Sequence, residues 1–216
     1  MAVVQKRSSM TYYSDSEDHY SHRVRIVLAE KGVSADILSV DPENLPEEVR
    51  EANPYGTLPV LLDRDLSLFE TQVMMEYLDE RFPHPPLLPV YPVARAEVRQ
   101  FIYRIENDWC KLVKTLTTSK NKDTIDQAAK ELQDGLTAIA PIFAEKPFFM
   151  SEEFTLVDCC LAPILWRLDH FGISIQRTRQ TMALLEYMDR VFTREAFKES
   201  LSETEHEMRP MYYSNV

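Results

Sequence analysis

A short stretch near the start of the chain gathers an acid, two imidazoles and a hydroxyl: Asp18, His19, Ser21 and His22. Ser21 with either histidine as base would make a nucleophile. Neighbouring positions on a helix point in different directions, however, and no acid stands ready to orient the imidazole, so Ser21 is expected to cap a helix. Glu70-Thr71 places an acid beside a hydroxyl where a helical pattern opens, and a helix N-terminus can hold a carboxylate. Cys110, Cys159 and Cys160 have no zinc-like or redox spacing; they are expected to be core thiols, with neither metal nor cofactor attached. Recognition chemistry is offered by Pro83-His84-Pro85. Prolines on both sides restrict the histidine backbone before any partner arrives, so docking loses little conformational entropy. The imidazole adds a donor and an acceptor, or two donors when protonated, on an apolar platform completed by Pro86 and Tyr91.

The elements that must carry these groups fall into two sets. Residues 83–92 hold Pro83, Pro85, Pro86, Pro89 and Pro92 without a glycine, which bars helix and makes the segment extended and stiff. The expected organisation is therefore a domain over 1–86, a linker over 87–92 and a domain over 93–216. In the first, strands are expected at 9–13, 35–40, 60–62 and 67–69. Helices are expected at 20–31, closed by Gly32, at 46–52, and at 70–82 with Val73, Met74, Tyr77 and Leu78 inward. The order is β-α-β-α-β-β-α, a thioredoxin-like arrangement.

The second set reads as helices only. Val98, Phe101, Ile102, Ile105, Trp109, Leu112, Val113 and Leu116 share one stripe, which predicts a helix over 93–116, about 36 Å long at the usual rise. Ile125, Ala129, Leu132, Leu136, Ile139 and Phe143 mark an antiparallel neighbour. Thr155-Leu156-Val157-Asp158 is a capping box with Phe154 as its hydrophobic staple, and further helices are expected at 182–192 and 194–207. The tail over 210–216 looks unanchored, although Tyr212 and Tyr213 could dock.

Composition narrows the partners. The net charge is −11, with 16 acidic against 8 basic residues before residue 83 and 19 against 16 after it. Such a surface repels phosphate backbones, so no direct nucleic-acid binding is expected. No apolar run approaches the roughly 20 residues that cross a bilayer, and residues 1–10 carry no apolar leader, so a cytoplasmic protein without membrane attachment is expected.

The proline before the third strand (Asn53-Pro54-Tyr55-Gly56-Thr57-Leu58-Pro59-Val60), Glu70-Thr71 and the box at Thr155 occur in this order on either side of a proline linker. Jointly they resemble the glutathione-transferase family across essentially the whole chain. The resemblance implies a cis peptide bond before Pro59, a glutathione-pairing backbone at Leu58, and a grip on the γ-glutamyl carboxylate by Glu70 and Thr71. Tyr20-Ser21-His22-Arg23-Val24-Arg25-Ile26 resembles the start of the first helix in serine- and cysteine-type relatives, which puts Asp18 where the thiol-activating residue belongs. An ionised aspartate only accepts hydrogen bonds, and its charge raises the pKa of a nearby thiol. Tyr12 or Tyr13 could instead mimic a tyrosine-type transferase, or simply pack the first strand.

The runs 21–32, 79–95 and 154–166 further resemble a branch of that family without transferase activity, the stringent starvation proteins of type A. That branch implies a homodimer in which the helix from about residue 93 packs beside the helix from about 70. It also implies association with RNA polymerase holoenzyme carrying the housekeeping sigma factor, in starvation and acid-stress responses. The branch's surface determinant maps to Pro83, His84 and Pro85. The alternatives are an active glutathione-dependent transferase and an enzyme-dead fold used only for dimerisation.

Overall fold

The computed structural model describes residues 10–209. Ser9 and the tail with Tyr212 and Tyr213 lie outside the described residues. The chain divides into two compact units, one running to Pro85 and taking in Glu199–Glu205, the other running from Pro86 to Lys198 and resuming at His206.

The first unit is built on a four-stranded sheet in the order β2-β1-β3-β4, with β1 (Met10–Ser14) parallel to β2 (Asp36–Ser39) and antiparallel to β3 (Val60–Asp63), which pairs antiparallel with β4 (Leu66–Leu68). Helix α1 (His19–Glu30) begins where the Asp18 carboxylate accepts the Ser21 N–H at 2.8 Å, so Asp18, not Ser21, is the cap. A carboxylate at that position satisfies an otherwise orphan N–H and meets the positive end of the dipole. The helix ends as expected at Gly32, whose φ of +60° lets the Gly32 and Val33 amides reach the carbonyls of Ala29 and Leu28, both at 3.0 Å. After the short α2 (Glu47–Ala52), helix α3 (Thr71–Arg81) packs against α1. Its inner face is Thr71, Met74, Met75, Leu78 and Asp79, while Val73 is 51% exposed. The stripe is thus rotated by one position from the hydrophobic reading, because Asp79 can go inward where a lysine meets it.

The second unit is helical. The helix expected over 93–116 is α4 (Pro92–Ile105) and α5 (Lys111–Thr118) with a π turn, Glu106–Cys110, between them. That turn shifts the stripe so that Trp109, Cys110 and Val113 all stay buried. Helix α6 (Lys122–Ile139) follows, with Ala128 rather than Ala129 in the core, and then α7 (Leu156–Trp166). The capping box at α7 is present: Thr155 and Asp158 bond reciprocally to each other's backbone. Helix α8 (Met182–Phe192) has the predicted bounds, but the helix expected over 194–207 is broken into α9 (Glu195–Ser200) and α10 (Glu203–Glu207).

Candidate functional site

The sheet registers bring the sequence-predicted glutathione-site positions to one end of the first unit. Tyr13 pairs with Val60, and Leu61 with Leu68. Continuing both registers sets Ser14, Pro59 and Glu70 at the same edge, where β1 leads into the N-terminus of α1 and hence to Asp18. The Leu58-Pro59 bond is cis, as the resemblance implies. Glu70 is exposed with a φ of 78°, in the left-handed region, and precedes α3 without a side-chain capping bond; Thr71 beside it is buried.

Asp18 is the N-cap of α1, the position that the resemblance gives to the thiol-activating residue. Burial pushes its pKa up, but hydrogen bonds and charge from His19, with the Ser21 and Tyr20 amides, outweigh that and hold it below the ordinary 3.8. The His19 Nδ1 lies 3.4 Å from Asp18 Oδ1. Because the folded-state pKa is depressed, the stabilisation by this cap is complete above the ordinary value and lost only as pH falls through the lowered one. At neutral pH the helix therefore carries its own anion.

The other hydroxyls near this edge are engaged elsewhere. The Tyr12 hydroxyl donates to the Ser21 carbonyl at 2.9 Å, and burial raises its pKa far above the phenol range. The Tyr13 hydroxyl donates to Glu48 Oε2; that bond, with burial, pushes its pKa up to about 12, the wrong direction for activating a thiol. Ser21 is buried and its Oγ accepts from the Asp15 amide at 3.1 Å. His22 faces Ser200 Oγ at 3.0 Å and Glu205 Oε1 at 3.5 Å. The three cysteines are buried and in no disulfide, and the described residues contain no cluster of His, Cys, Asp or Glu able to hold a metal ion. No helix among them is long and apolar enough to cross a membrane.

The proline run forms the second candidate surface. In the first unit Pro83, His84 and Pro85 are all exposed, and the His84-Pro85 bond is cis. The run is held at its end by Lys31, the last residue capping α1. The Lys31 ammonium, with no exposed side-chain surface, pairs with Asp79 Oδ1 at 2.6 Å and donates to the Pro85 carbonyl. Arg81, also near the end of α3, bonds through Nε to Asp63 Oδ2 at 2.8 Å and lays its guanidinium over the Phe82 ring. In the second unit Pro86 is exposed, Leu87 and Leu88 are buried, and the Leu87 carbonyl accepts the Leu156 amide at 2.9 Å. Val90, Tyr91 and Val93 are exposed. The prolines are legible in the sequence, whereas Lys31 and Asp79 are not: Lys31 lies 48 residues from Asp79 and 54 from Pro85 and leaves no local signal.

Two family models match the chain: the glutathione S-transferase N-terminal domain over residues 19–81 and the C-terminal domain over 93–195. The stringent starvation protein A homolog of Coxiella burnetii is 52% identical over 204 residues, covering 94% of this chain and 97% of its own. That of Haemophilus influenzae is 51% identical over 198 residues, 92% of each chain. Among solved structures, the tau class glutathione S-transferase of mango superposes with a TM-score of 0.79 at 22% identity, covering 96% of this chain and 98% of that one. The omega 3C transferase of Trametes versicolor gives 0.77 at 23%, covering 92% and 91%. These structures share the fold, and the two homologs share half the residues over nearly the whole length. The chain belongs to the stringent starvation protein A family, within the glutathione S-transferase fold.

Proposed function

We propose that this protein is an RNA polymerase-associated regulator of the starvation and stress response, that it docks on the holoenzyme carrying the housekeeping sigma factor, and that it has no transferase activity. The observation that carries the reading is the exposed run Pro83-His84-Pro85, whose side chains contribute nothing to the core yet whose backbone is anchored from below by Lys31. Pro86 and Tyr91, next along the chain in the second unit, are exposed as well. A surface that is apolar, stiff and supplied with one imidazole suits a protein partner. Pull-down of purified RNA polymerase holoenzyme by the immobilised protein tests it: capture supports the reading, and its absence overturns it.

The non-catalytic half of the proposal rests on Asp18. Glutathione bound at this edge would meet a carboxylate in the seat of its thiolate, which raises the thiol pKa. The purified protein is expected to give no conjugation of glutathione to an electrophilic aromatic substrate, and Asp18→Ser alone is not expected to restore it. Turnover that disappears in Asp18→Ala would instead establish the competing reading, an active transferase, which the cis Leu58-Pro59 bond and the Glu70-Thr71 pair favour.

The working form is proposed to be a homodimer. The first unit exposes Leu66 and Val73, and the second exposes Val93 and Tyr103, apolar side chains that a second copy would cover. An obligate interface of this kind commonly buries more than about 2,000 Å². Light scattering at micromolar concentration should report twice the chain mass; a single 25.2 kDa species would contradict the proposal.

A further inference from the structure

The anchoring of the proline run poses a physical problem that the prolines themselves create. Of residues 83–86 only His84 has a backbone N–H, so the segment can be tied to the body of the protein almost solely through its carbonyl oxygens. A carbonyl needs a donor, and the run follows a helix end whose own last amide, that of Phe82, is already bonded to Leu78 at 2.9 Å. Lys31 supplies the donor. Its ammonium carries three N–H groups in tetrahedral array and is wholly buried; one direction is taken by Asp79 Oδ1 at 2.6 Å and another by the Pro85 carbonyl.

The division of labour between the two acceptors is informative. A buried lysine is costly unless an opposite charge meets it, and Asp79 meets that requirement alone. The bond to Pro85 is not needed to neutralise Lys31; what it does is fix the carbonyl of the residue after His84 relative to two packed helices, α1 and α3. We propose that Lys31 is a positioning residue for partner binding: through the Pro85 carbonyl it presents His84 and its flanking prolines in one geometry. The proposal rests on the reading that this run is the docking surface.

Three variants separate positioning from plain stability. Lys31→Met keeps the aliphatic stem, removes the donor and strands Asp79, so it should both lower the melting temperature and weaken binding to purified RNA polymerase holoenzyme, on the order of tenfold. Lys31→Met with Asp79→Leu removes both charges and should recover most of the melting temperature while binding stays equally weak. Asp79→Asn keeps the bond to Pro85 and should do the reverse, losing stability but binding like the parent. Stability and affinity thus move in opposite directions in the last two, which a merely structural lysine would not produce. Parent-like binding by the stable double variant, or binding by Asp79→Asn as weak as that of Lys31→Met, overturns the positioning role. The variant with Pro83, His84 and Pro85 all replaced by alanine checks the premise: adding Lys31→Met to it should change binding no further, and normal binding by it removes the premise and the proposal together.

Discussion

Replacing Pro83, His84 and Pro85 together by alanine is expected to abolish capture of RNA polymerase while leaving the protein folded. All three side chains are exposed, so little packing is lost. The Pro85 carbonyl accepted by Lys31 belongs to the backbone and persists in alanine. Each Pro→Ala change frees the unfolded chain by about 0.4–1 kcal/mol, which for two prolines in a chain of this size lowers the melting temperature by about 2–8 °C. Binding suffers more. Each released residue must be fixed again on docking, at roughly 1–2 kcal/mol, and the imidazole contact disappears as well, so affinity should fall at least about a hundredfold. His84→Ala alone should cost about 1–3 kcal/mol of that. Titration calorimetry and thermal melting of both variants decide the matter: a folded triple variant that binds normally moves the functional surface elsewhere, and a collapsed melting temperature makes the run structural.

Asp158→Ala is expected to cause the largest loss of stability of any single change considered, about 3–5 kcal/mol. Asp158 is wholly buried, and its carboxylate serves four donors. Oδ1 accepts the Phe149 amide at 2.9 Å and the Tyr187 hydroxyl at 2.7 Å, while Oδ2 accepts the Thr155 amide at 2.8 Å and its hydroxyl at 3.3 Å. Burial raises the pKa of the carboxyl against the pull of these bonds. Alanine would strand two buried amides and the Tyr187 hydroxyl together and remove the Asp158 half of the α7 capping box, leaving Thr155 as its cap. Asp158→Asn keeps the shape but turns one acceptor into a donor facing donors, so it should fall between alanine and the parent. Urea unfolding measures all three; a loss below about 1 kcal/mol for alanine would mean that water replaces the carboxylate.

The parts of this structure that could be read from sequence are those whose cause is local. The box at Thr155 spans four residues, the Gly32 stop one, and the short strand runs of the sheet a handful, so each announced itself in a short window. The cap of α1 was misassigned within the same window because serine and aspartate are equally good caps; only geometry chooses Asp18. The rotated face of α3 and the anchor of the proline run were hidden for a different reason. A hydrophobicity pattern places an aspartate outside, and Asp79 lies inside because Lys31, 48 residues earlier, neutralises it. Likewise, Glu48 disposes of Tyr13 from 35 residues away.

The short return of Glu199–Glu205 to the first unit has a consequence for the order in which the protein is made. Glu205, fully buried, holds Arg25 of α1 through two bonds of 2.8 Å, and Ser202 donates to the Ser16 carbonyl beside the Asp18 cap. On a ribosome adding about 5–20 residues per second, α1 emerges roughly ten seconds or more before its carboxylate partner exists. During that interval the guanidinium of Arg25 has no Glu205 to bury against, so the thioredoxin-like unit, the first of the two to be synthesised, is the one that cannot finish folding until Glu205 has been made.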